Sequence, residues 1–272
     1  MRAWALLLLG GCGRLAFDPL ATDAPKGDAA ILPPFVVGQQ IASLASPFAD
    51  DDPTITPDGL ELIFASDRTG NTDLYVSRRA SRGDPWSAPT LIAELATVGV
   101  EKGPEYSDDG LTLWFEDDGK IAMTTRATRG SAWATPQIAL AFTVSLGTPT
   151  VCNGDLQMIM RTVDATSANE LYTSSRASVG DAWPTPVPLD DIETGQDESG
   201  PFLTPDCSRL YFDSVGVFVS DRDPVSGHYG APVRVIDQAL QTCHDISLSD
   251  DEHYAVFSKK VSNIEQLWEA TR

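Results

Sequence analysis

Three acidic residues occupy the same place relative to a recurring proline. Asp50, Glu101 and Glu198 each lie three residues before a proline, and Asp52 and Asp245 lie close to two such positions. Carboxylates that converge raise one another's pKa, and they are also the ligands that hard cations such as Ca²⁺ prefer. These five residues are therefore the predicted acidic or cation site. The alternative is solvated loop acids with backbone-capping roles, since the sequence has no EF-hand-type loop.

Other catalytic signatures are missing from the sequence. It has no Gly-x-Ser-x-Gly elbow and no Gly-rich phosphate loop. None of its three histidines has the spacing to a cysteine that is typical of a zinc site. The formal net charge of −20, from 39 acidic and 19 basic residues, argues against nucleic acid, whose phosphates need clustered Lys and Arg. We expect no metal or cofactor beyond a Ca²⁺ candidate at the acidic site.

Most of the chain is a repeat. Stretches resembling PTITPDGLELIF recur every 45 to 52 residues, and they begin at Pro53, Pro104, Pro149, Pro201 and Ile246. Each combines a short strand, a turn signal and an alternating apolar strand. Asp-Gly pairs at two of the turns supply the positive φ of a tight hairpin. Units of this length with four strands are typical of β-propeller blades.

A third strand in every unit ends in arginine. The arginines are Arg79, Arg126, Arg176, Arg222 and Arg272. After each of the first four, an aromatic residue follows seven positions later and a proline three positions after that, before a fourth strand. The aromatic ring can pack under the arginine by a cation–π contact. Because the pair repeats in every blade, we assign it a structural role.

The fifth unit stops after its third strand, and a matching fourth strand lies near the other end of the chain. Phe35 precedes Pro53 by 18 residues, as Trp86 precedes the next repeat. Residues 35–45 are therefore predicted to complete the last blade, which removes an exposed sheet edge. The predicted fold is an all-β, five-bladed β-propeller of four-stranded antiparallel blades over residues 35–272. Six blades are the alternative, but the length divides poorly by six at this period.

The first repeat resembles the TolB-type WD40-like propeller repeat. The matching residues are Pro53, Thr56, Pro57, Asp58, Gly59, Ile63, Phe64, Ser66, Asp67, Arg68, Asp73, Leu74 and Tyr75. The resemblance implies a propeller in an exported bacterial protein. It departs from TolB before the first repeat, where too few residues precede Pro53 to form the separate α/β domain of TolB itself.

The N-terminal sequence MRAWALLLLGGCG is typical of a targeting segment. One basic residue, a short apolar run and small residues precede Cys12, which resembles a bacterial lipobox. We predict a signal peptide at 1–11, lipidation of Cys12 and a flexible tether at 12–34. Gly13 stands where an inner-membrane retention signal would place Asp, which indicates the outer membrane. The alternative is an ordinary signal peptide with a chance cysteine.

The other three cysteines are an odd number. Cys152 ends the first strand of the third unit, and Cys207 occupies the first turn of the fourth. Both face the same side of adjacent blades, so a Cys152–Cys207 disulfide is expected. Cys243 precedes its first strand, at the opposite face, and its state stays open.

These features favour a non-enzymatic, monomeric envelope lipoprotein. Its propeller would be a binding scaffold for an envelope protein or a glycan, and it would meet the membrane through the lipid anchor alone. The observations behind this hypothesis are the lipobox, the tether and the unelaborated blades, whose short loops between second and third strands build no deep cleft. The alternative is a glycoside-hydrolase-like or cation-dependent propeller, because five-bladed glycoside hydrolases carry a carboxylate pair at the axial mouth.

Overall fold

The computed structural model describes residues 32–33, 35–163, 168–192, 194–235 and 243–272. The predicted signal peptide, Cys12 and nearly all of the tether lie outside the described residues. Within the described part, no helix is long and apolar enough to cross a membrane.

The described chain forms a five-bladed β-propeller, as predicted, and each blade is a four-stranded antiparallel sheet. Blade 5 consists of β1 (Val36–Gln40), β18 (Cys243–Leu248), β19 (Tyr254–Val261) and β20 (Ile264–Thr271). Blade 1 consists of β2 (Asp50–Ile55), β3 (Glu61–Ser66), β4 (Asp73–Arg78) and β5 (Thr90–Leu91). Blade 2 consists of β6 (Glu101–Tyr106), β7 (Thr112–Asp117), β8 (Lys120–Thr125) and β9 (Gln137–Leu140). Blade 3 consists of β10 (Leu146–Cys152), β11 (Gln157–Val163), β12 (Asn169–Ser175) and β13 (Val187–Pro188). Blade 4 consists of β14 (Ser199–Leu203), β15 (Arg209–Ser214), β16 (Gly216–Asp221) and β17 (Val233–Arg234), and a 3-10 turn at Asp190–Ile192 precedes it.

The N-terminal strand closes the ring, which confirms the predicted topology. The sheet order of blade 5 is β1-β20-β19-β18, and Val36 lies opposite Thr271. Phe35, Ile41 and Leu44 flank β1 and are buried. The outer edge of β20 is therefore paired inside the protein, so its backbone groups are satisfied without a partner chain.

The arginine that follows each third strand packs on an aromatic ring. The guanidinium carbon lies 4.2 Å from the ring centroid in the Arg79–Trp86 pair, 4.3 Å in Arg126–Trp133, 4.3 Å in Arg176–Trp183 and 5.8 Å in Arg222–Tyr229. In blade 5 the ring comes from the other end of the chain, because Arg272 lies 4.2 Å from the ring of Phe35. Each pair ties the third strand to the segment before the fourth.

The core lies between facing blades. The aromatic residue near the end of each second strand is fully buried in four of the blades, as Phe64, Phe115, Phe212 and Phe257. Met160 takes this place in blade 3. Full burial of these side chains explains why each unit repeats a large apolar residue there.

A disulfide joins blades 3 and 4. Cys152 and Cys207 are bonded, with Cα atoms 5.4 Å apart. Cys243 has a free thiol and is buried. Burial raises the pKa of this thiol to about 11.

Candidate active site at the bulge end of the channel

Every innermost strand carries a β-bulge near its start. The pairing register shifts there, for example between Asp51 and Thr54 in blade 1. One residue of each bulge has a positive φ, and these five residues, which we call the bulge ring, are Asp52 (48°), Gly103 (55°), Thr148 (41°), Gly200 (51°) and Asp245 (52°). The ring lines a narrow cavity of about 30 Å³, which is the volume of one water molecule in the liquid. The end of the channel at this ring is called the bulge end below.

Two of the five ring positions are aspartates, and they belong to neighbouring blades. Asp52 is in blade 1 and Asp245 in blade 5, whose innermost strands pack against each other. One carboxylate oxygen each of Asp51, Asp52 and Asp245 lie within 4.8 Å of one another. A positive φ is uncommon in residues other than glycine, and strained backbone of this kind clusters at functional sites.

His244 neutralises part of this acidic group. Its Nδ1 lies 2.6 Å from Asp245 Oδ2, and its Nε2 lies 3.0 Å from Glu265 Oε2. Burial lowers the pKa of His244, but these hydrogen bonds and the charges of Asp245 and Asp51 outweigh burial and raise the pKa to about 12. The imidazole of His244 is therefore protonated, and each of its two nitrogens donates a hydrogen bond to a carboxylate.

Hydrogen bonding and charge drive the carboxyl pKa values apart. Burial, together with the charges of Asp245 and Asp51, raises the pKa of Asp52 well above its usual value. Burial also opposes ionisation of Asp245, but the hydrogen bond and charge of His244 lower its pKa. Asp52 hydrogen-bonds Asp245. The pKa values of these two carboxyls are thus shifted in opposite directions, the arrangement from which acid and base roles arise.

Asp213 supports the pair from the second strand of blade 4. Its Oδ2 accepts the backbone N–H of Asp245 at 2.5 Å, and burial followed by the charge of Asp245 raises its pKa well above the usual value. Gly200 leaves the space for this contact. A Cβ at position 200 would lie 2.0 Å from Asp213 Oδ2 and 2.7 Å from Asp245 Oδ1.

The solvent reaches the same group of side chains. The exposed fraction of the side chain is 33% for Asp51, 28% for His244 and 16% for Asp245. Burial and the charge of Asp245 raise the pKa of Asp51 to about 6. A substrate could therefore contact the carboxylates from outside without entering the narrow channel.

Of the five acids predicted from sequence, Asp52 and Asp245 belong to this group, whereas Asp50, Glu101 and Glu198 do not. The last three are buried, and each accepts a hydrogen bond from the loop in front of its own strand. Asp50 accepts hydrogen bonds from Ser46, Ser66 and Arg68.

Glu101 accepts the backbone N–H of Thr97, and Glu198 accepts that of Thr194, each four residues earlier. These two residues and Asp50 therefore have the capping role that was the alternative explanation. The carboxylate cluster forms two residues further along the strand.

Asp51, His244, Asp213 and Glu265 were not among the predicted site residues. The sequence does contain a signal for the bulge ring. The residue directly before the repeat proline is Asp, Gly, Thr and Gly in the first four units in turn, and Asp precedes Ile246 in the fifth unit. Asp and Gly are the residue types that accept a positive φ. Glu265 and Asp213 come from other strands and carry no such signal.

No protein-family model and no curated protein matches the sequence. Among solved structures, the chain is similar to a GH62 hydrolase in complex with xylotriose, with TM-score 0.63, 10% identity, and 88% of this chain and 97% of that chain covered. It is similar to an α-L-arabinofuranosidase from Podospora anserina in complex with cellotriose, with TM-score 0.59, 12% identity, and 88% and 94% covered. It is also similar to TolB from Acinetobacter baumannii, with TM-score 0.50, 14% identity, and 87% and 62% covered. At such identities the similarity establishes the propeller fold.

The hypothesis of a non-enzymatic scaffold is corrected by this comparison. Part of its basis was the unelaborated blades, whose short loops build no deep substrate cleft. The two hydrolases have at least 94% of their own chains covered by this propeller, so the fold is one that hydrolases also have. The unelaborated propeller therefore does not by itself argue against catalysis.

Proposed function

We propose that the protein is a glycoside-hydrolase-like enzyme whose active site is the carboxylate cluster at the bulge end. The observation that carries this proposal is the contact between the Asp52 and Asp245 carboxyls, whose pKa values are shifted in opposite directions, at a solvent-accessible channel mouth. Hydrolysis of a glycosidic bond requires such a pair, one group to protonate the leaving oxygen and one to attack or to activate water. The two hydrolases of the same fold support the assignment.

Asp52 is the general acid, because burial and the neighbouring carboxylates raise its pKa well above the usual value and so favour its protonated form. Asp245 is the nucleophile. Its hydrogen bond with Asp52 leaves no room for a water between the two carboxyls, which favours a retaining mechanism over an inverting one, whose two carboxyls lie about 6.5–9.5 Å apart. Substrate binding must replace the hydrogen bond between them.

His244 acts on the nucleophile as a positioning residue. Its imidazolium holds the Asp245 carboxylate ionised and in one orientation, while Glu265 fixes the opposite ring nitrogen. In the first step, the Asp52 proton goes to the departing sugar oxygen and an Asp245 oxygen bonds to the anomeric carbon. In the second step, water loses a proton to Asp52 and releases the sugar from Asp245.

The test is hydrolysis of a panel of 4-nitrophenyl glycosides that starts with the α-L-arabinofuranoside. We expect Asp52→Asn and Asp245→Asn each to lower kcat/KM by about 10²–10⁴-fold. Asp118→Asn is the matched control, because Asp118 lies in the exposed β7–β8 turn and should retain full activity. Product NMR should show retained anomeric configuration. Hydrolysis at the wild-type rate by both cluster variants would reject the assignment, as would a panel that shows no turnover.

Cation binding is the second candidate function. Two overlapping sets, Asp51–Asp52–Asp245 and Asp51–His244–Glu265, bring three ligand atoms within 4.8 Å. Asp51 Oδ1 is buried and has no hydrogen-bond partner among the described residues. Against it, the His244 imidazolium already supplies the positive charge that a cation would bring. A rise in melting temperature with millimolar CaCl₂ that Asp51→Asn abolishes would favour the cation; an unchanged melting temperature favours the acid–base pair.

The proposed location is the cell envelope, with a lipid on Cys12 and the propeller carried on the tether. The lipobox-like sequence supports this proposal. Metabolic labelling with a palmitate analogue should mark the protein, and Cys12→Ser should abolish the label. Labelling that persists in the variant would contradict it.

A further inference from the structure

A second, larger cavity of about 210 Å³ lies at the opposite end of the channel, where the hairpin turns of the innermost strands are found. We call this the turn end. Each blade contributes one buried apolar residue to its wall, namely Ile55, Tyr106, Val151, Leu203 and Leu248. The proposed active site uses none of these residues.

The rim of this cavity is acidic. Asp108, Asp206 and Asp250 line it from three different turns, and none of the described residues that line it is basic. Burial, followed by the charges of Asp250 and Asp109, raises the pKa of Asp108. Glu252 also lines the cavity, and Arg209 and Arg272 pair with it. A cation near Asp108 would relieve the repulsion between its carboxylate and those of Asp250 and Asp109.

Glu105 forms the inner end of the cavity. It belongs to a ring of equivalent positions, one per blade, with Thr54, Thr150, Phe202 and Ser247. Three members are hydroxyl residues, and each hydroxyl accepts a backbone N–H from the next blade, for example Thr54 from Tyr106. Glu105 in blade 2 and Phe202 in blade 4 therefore stand where three other blades use a hydroxyl to accept this N–H.

The Glu105 carboxyl retains capacity for another partner. Thr54 Oγ1 donates to one oxygen at 3.0 Å and Thr150 Oγ1 to the other at 3.1 Å. A carboxylate offers about four lone-pair sites, so an N–H donor can still be accepted. The side chain is 7% exposed, and an ion pair formed here would be shielded from water.

We propose that the turn-end cavity binds a primary alkylammonium group, with the ammonium on the Glu105 carboxylate and the alkyl chain between the five apolar wall residues. An apolar wall favours a hydrocarbon chain, and the acidic rim together with Glu105 favours a positive charge. A hydrated metal ion would bind the acidic residues but would make no favourable contact with the apolar wall. A neutral alkyl ligand would leave the acids unpaired.

Binding should release a proton. Burial raises the pKa of Glu105 to about 8; the hydroxyl donors Thr54 and Thr150 oppose this, and the charges of Asp108 and Asp155 add to it. The free carboxyl is therefore mostly protonated at pH 7, whereas an adjacent ammonium favours the ionised form. Affinity for the ammonium should increase up to tenfold per pH unit between pH 6 and 8, because a smaller fraction of Glu105 then carries a proton that binding must remove.

The test is calorimetric titration of the full-length protein with n-butylammonium chloride, with n-butanol as the neutral isostere. We expect saturable binding of the ammonium alone and release of about one proton at pH 7, seen as a dependence of the heat on the buffer. Glu105→Gln keeps one oxygen that accepts from one threonine hydroxyl, while its amide NH2 donates to the other, and it should weaken binding at least about tenfold and abolish proton release. Asp118→Asn, which removes one charge at the bulge end, should bind as the wild type does.

The proposal would be overturned if butanol binds as tightly as butylammonium, or if Glu105→Gln binds butylammonium as tightly as the wild type. It would also be overturned if CaCl₂ displaces butylammonium at a concentration at which NaCl has no effect. Two further probes identify the source of the group. Tighter binding of 1,5-diaminopentane indicates a free polyamine, and tighter binding of Nα-acetyl-lysine methylamide indicates a lysine side chain of a peptide. Either result supports an alkylammonium site.

Discussion

The two ends of the channel use acidic residues in opposite ways. At the bulge end, Asp52 and Asp245 approach within hydrogen-bonding distance, and His244 holds a positive charge against them. At the turn end, Asp108 and Asp250 sit on separate turns around an apolar cavity, and none of the described lining residues is basic. Carboxyls in contact share protons and acquire different pKa values, whereas separated carboxyls add up to a negative potential.

The largest expected effect comes from removing the closing strand, on which both ends depend. A chain that begins at residue 46 loses β1 and the buried side chains of Phe35, Ile41 and Leu44. Burial of three such side chains stabilises by about 6 kcal/mol, which is close to the whole stability of a typical domain. We expect loss of the cooperative urea transition and of function at both ends. A chain that begins at residue 32 is the control, and similar transitions for the two chains would contradict ring closure.

The second effect compares a glycine at each end. Gly200 and Gly154 both have positive φ, so alanine costs about 1–2 kcal/mol at either site from backbone strain alone. At position 200 the new methyl would also displace Asp213 and Asp245, whereas at position 154 no atom lies within 4 Å. We expect Gly200→Ala to lower the free energy of unfolding by about 4 kcal/mol and to reduce hydrolysis. Chemical denaturation that gives equal losses would show that the bulge end is not tightly packed.

The third effect concerns the disulfide between blades 3 and 4, which involves the first turn of blade 4. It closes a loop of 55 residues, so Cys152→Ala with Cys207→Ala should lower the free energy of unfolding by about 4 kcal/mol. Below the melting temperature, kcat/KM should not change, because neither cysteine belongs to the bulge-end cluster. A fall in kcat/KM without unfolding would show that the two ends are coupled.

The smallest effect is a difference in pH dependence. Glu105 has a raised pKa, so its contribution to stability is complete in acid and is lost as the pH rises through about 8. Between pH 6.5 and 7.5, Glu105→Gln should make the slope of the unfolding free energy less negative by about 1.4 kcal/mol per pH unit. Asp51 titrates near pH 6, so Asp51→Asn should change the slope mainly below pH 6.5. Identical urea midpoints across pH for wild type and Glu105→Gln would disprove the Glu105 assignment.

The repeat pattern predicted the blades well because each blade buries the same kinds of side chain. Phe64 and Phe257 recur where sheets face each other, and Phe35 supplies the ring that packs against Arg272. Those features depend on strand alternation and spacing, which a sequence displays directly.

The candidate site was only half predictable, and the bulge is the reason. Strand alternation assigns Asp50 and Asp52 to the same face, but an extra residue in one strand shifts the register and redirects the side chains that follow. Glu101 was therefore assigned to the channel mouth, although Gly103 occupies that position. The pKa differences could not be predicted either, because they arise from groups such as Asp213 that are distant in sequence.

The buried Cys243 has a consequence for how the chain survives oxidation. Disulfide exchange requires a thiolate with access to a sulfur atom. With a pKa of about 11, only about one Cys243 in ten thousand is a thiolate at pH 7, and the side chain is 3% exposed. Once folded, the propeller therefore keeps its odd cysteine out of exchange with the Cys152–Cys207 bond, so an unpaired thiol persists beside a stable disulfide without scrambling it.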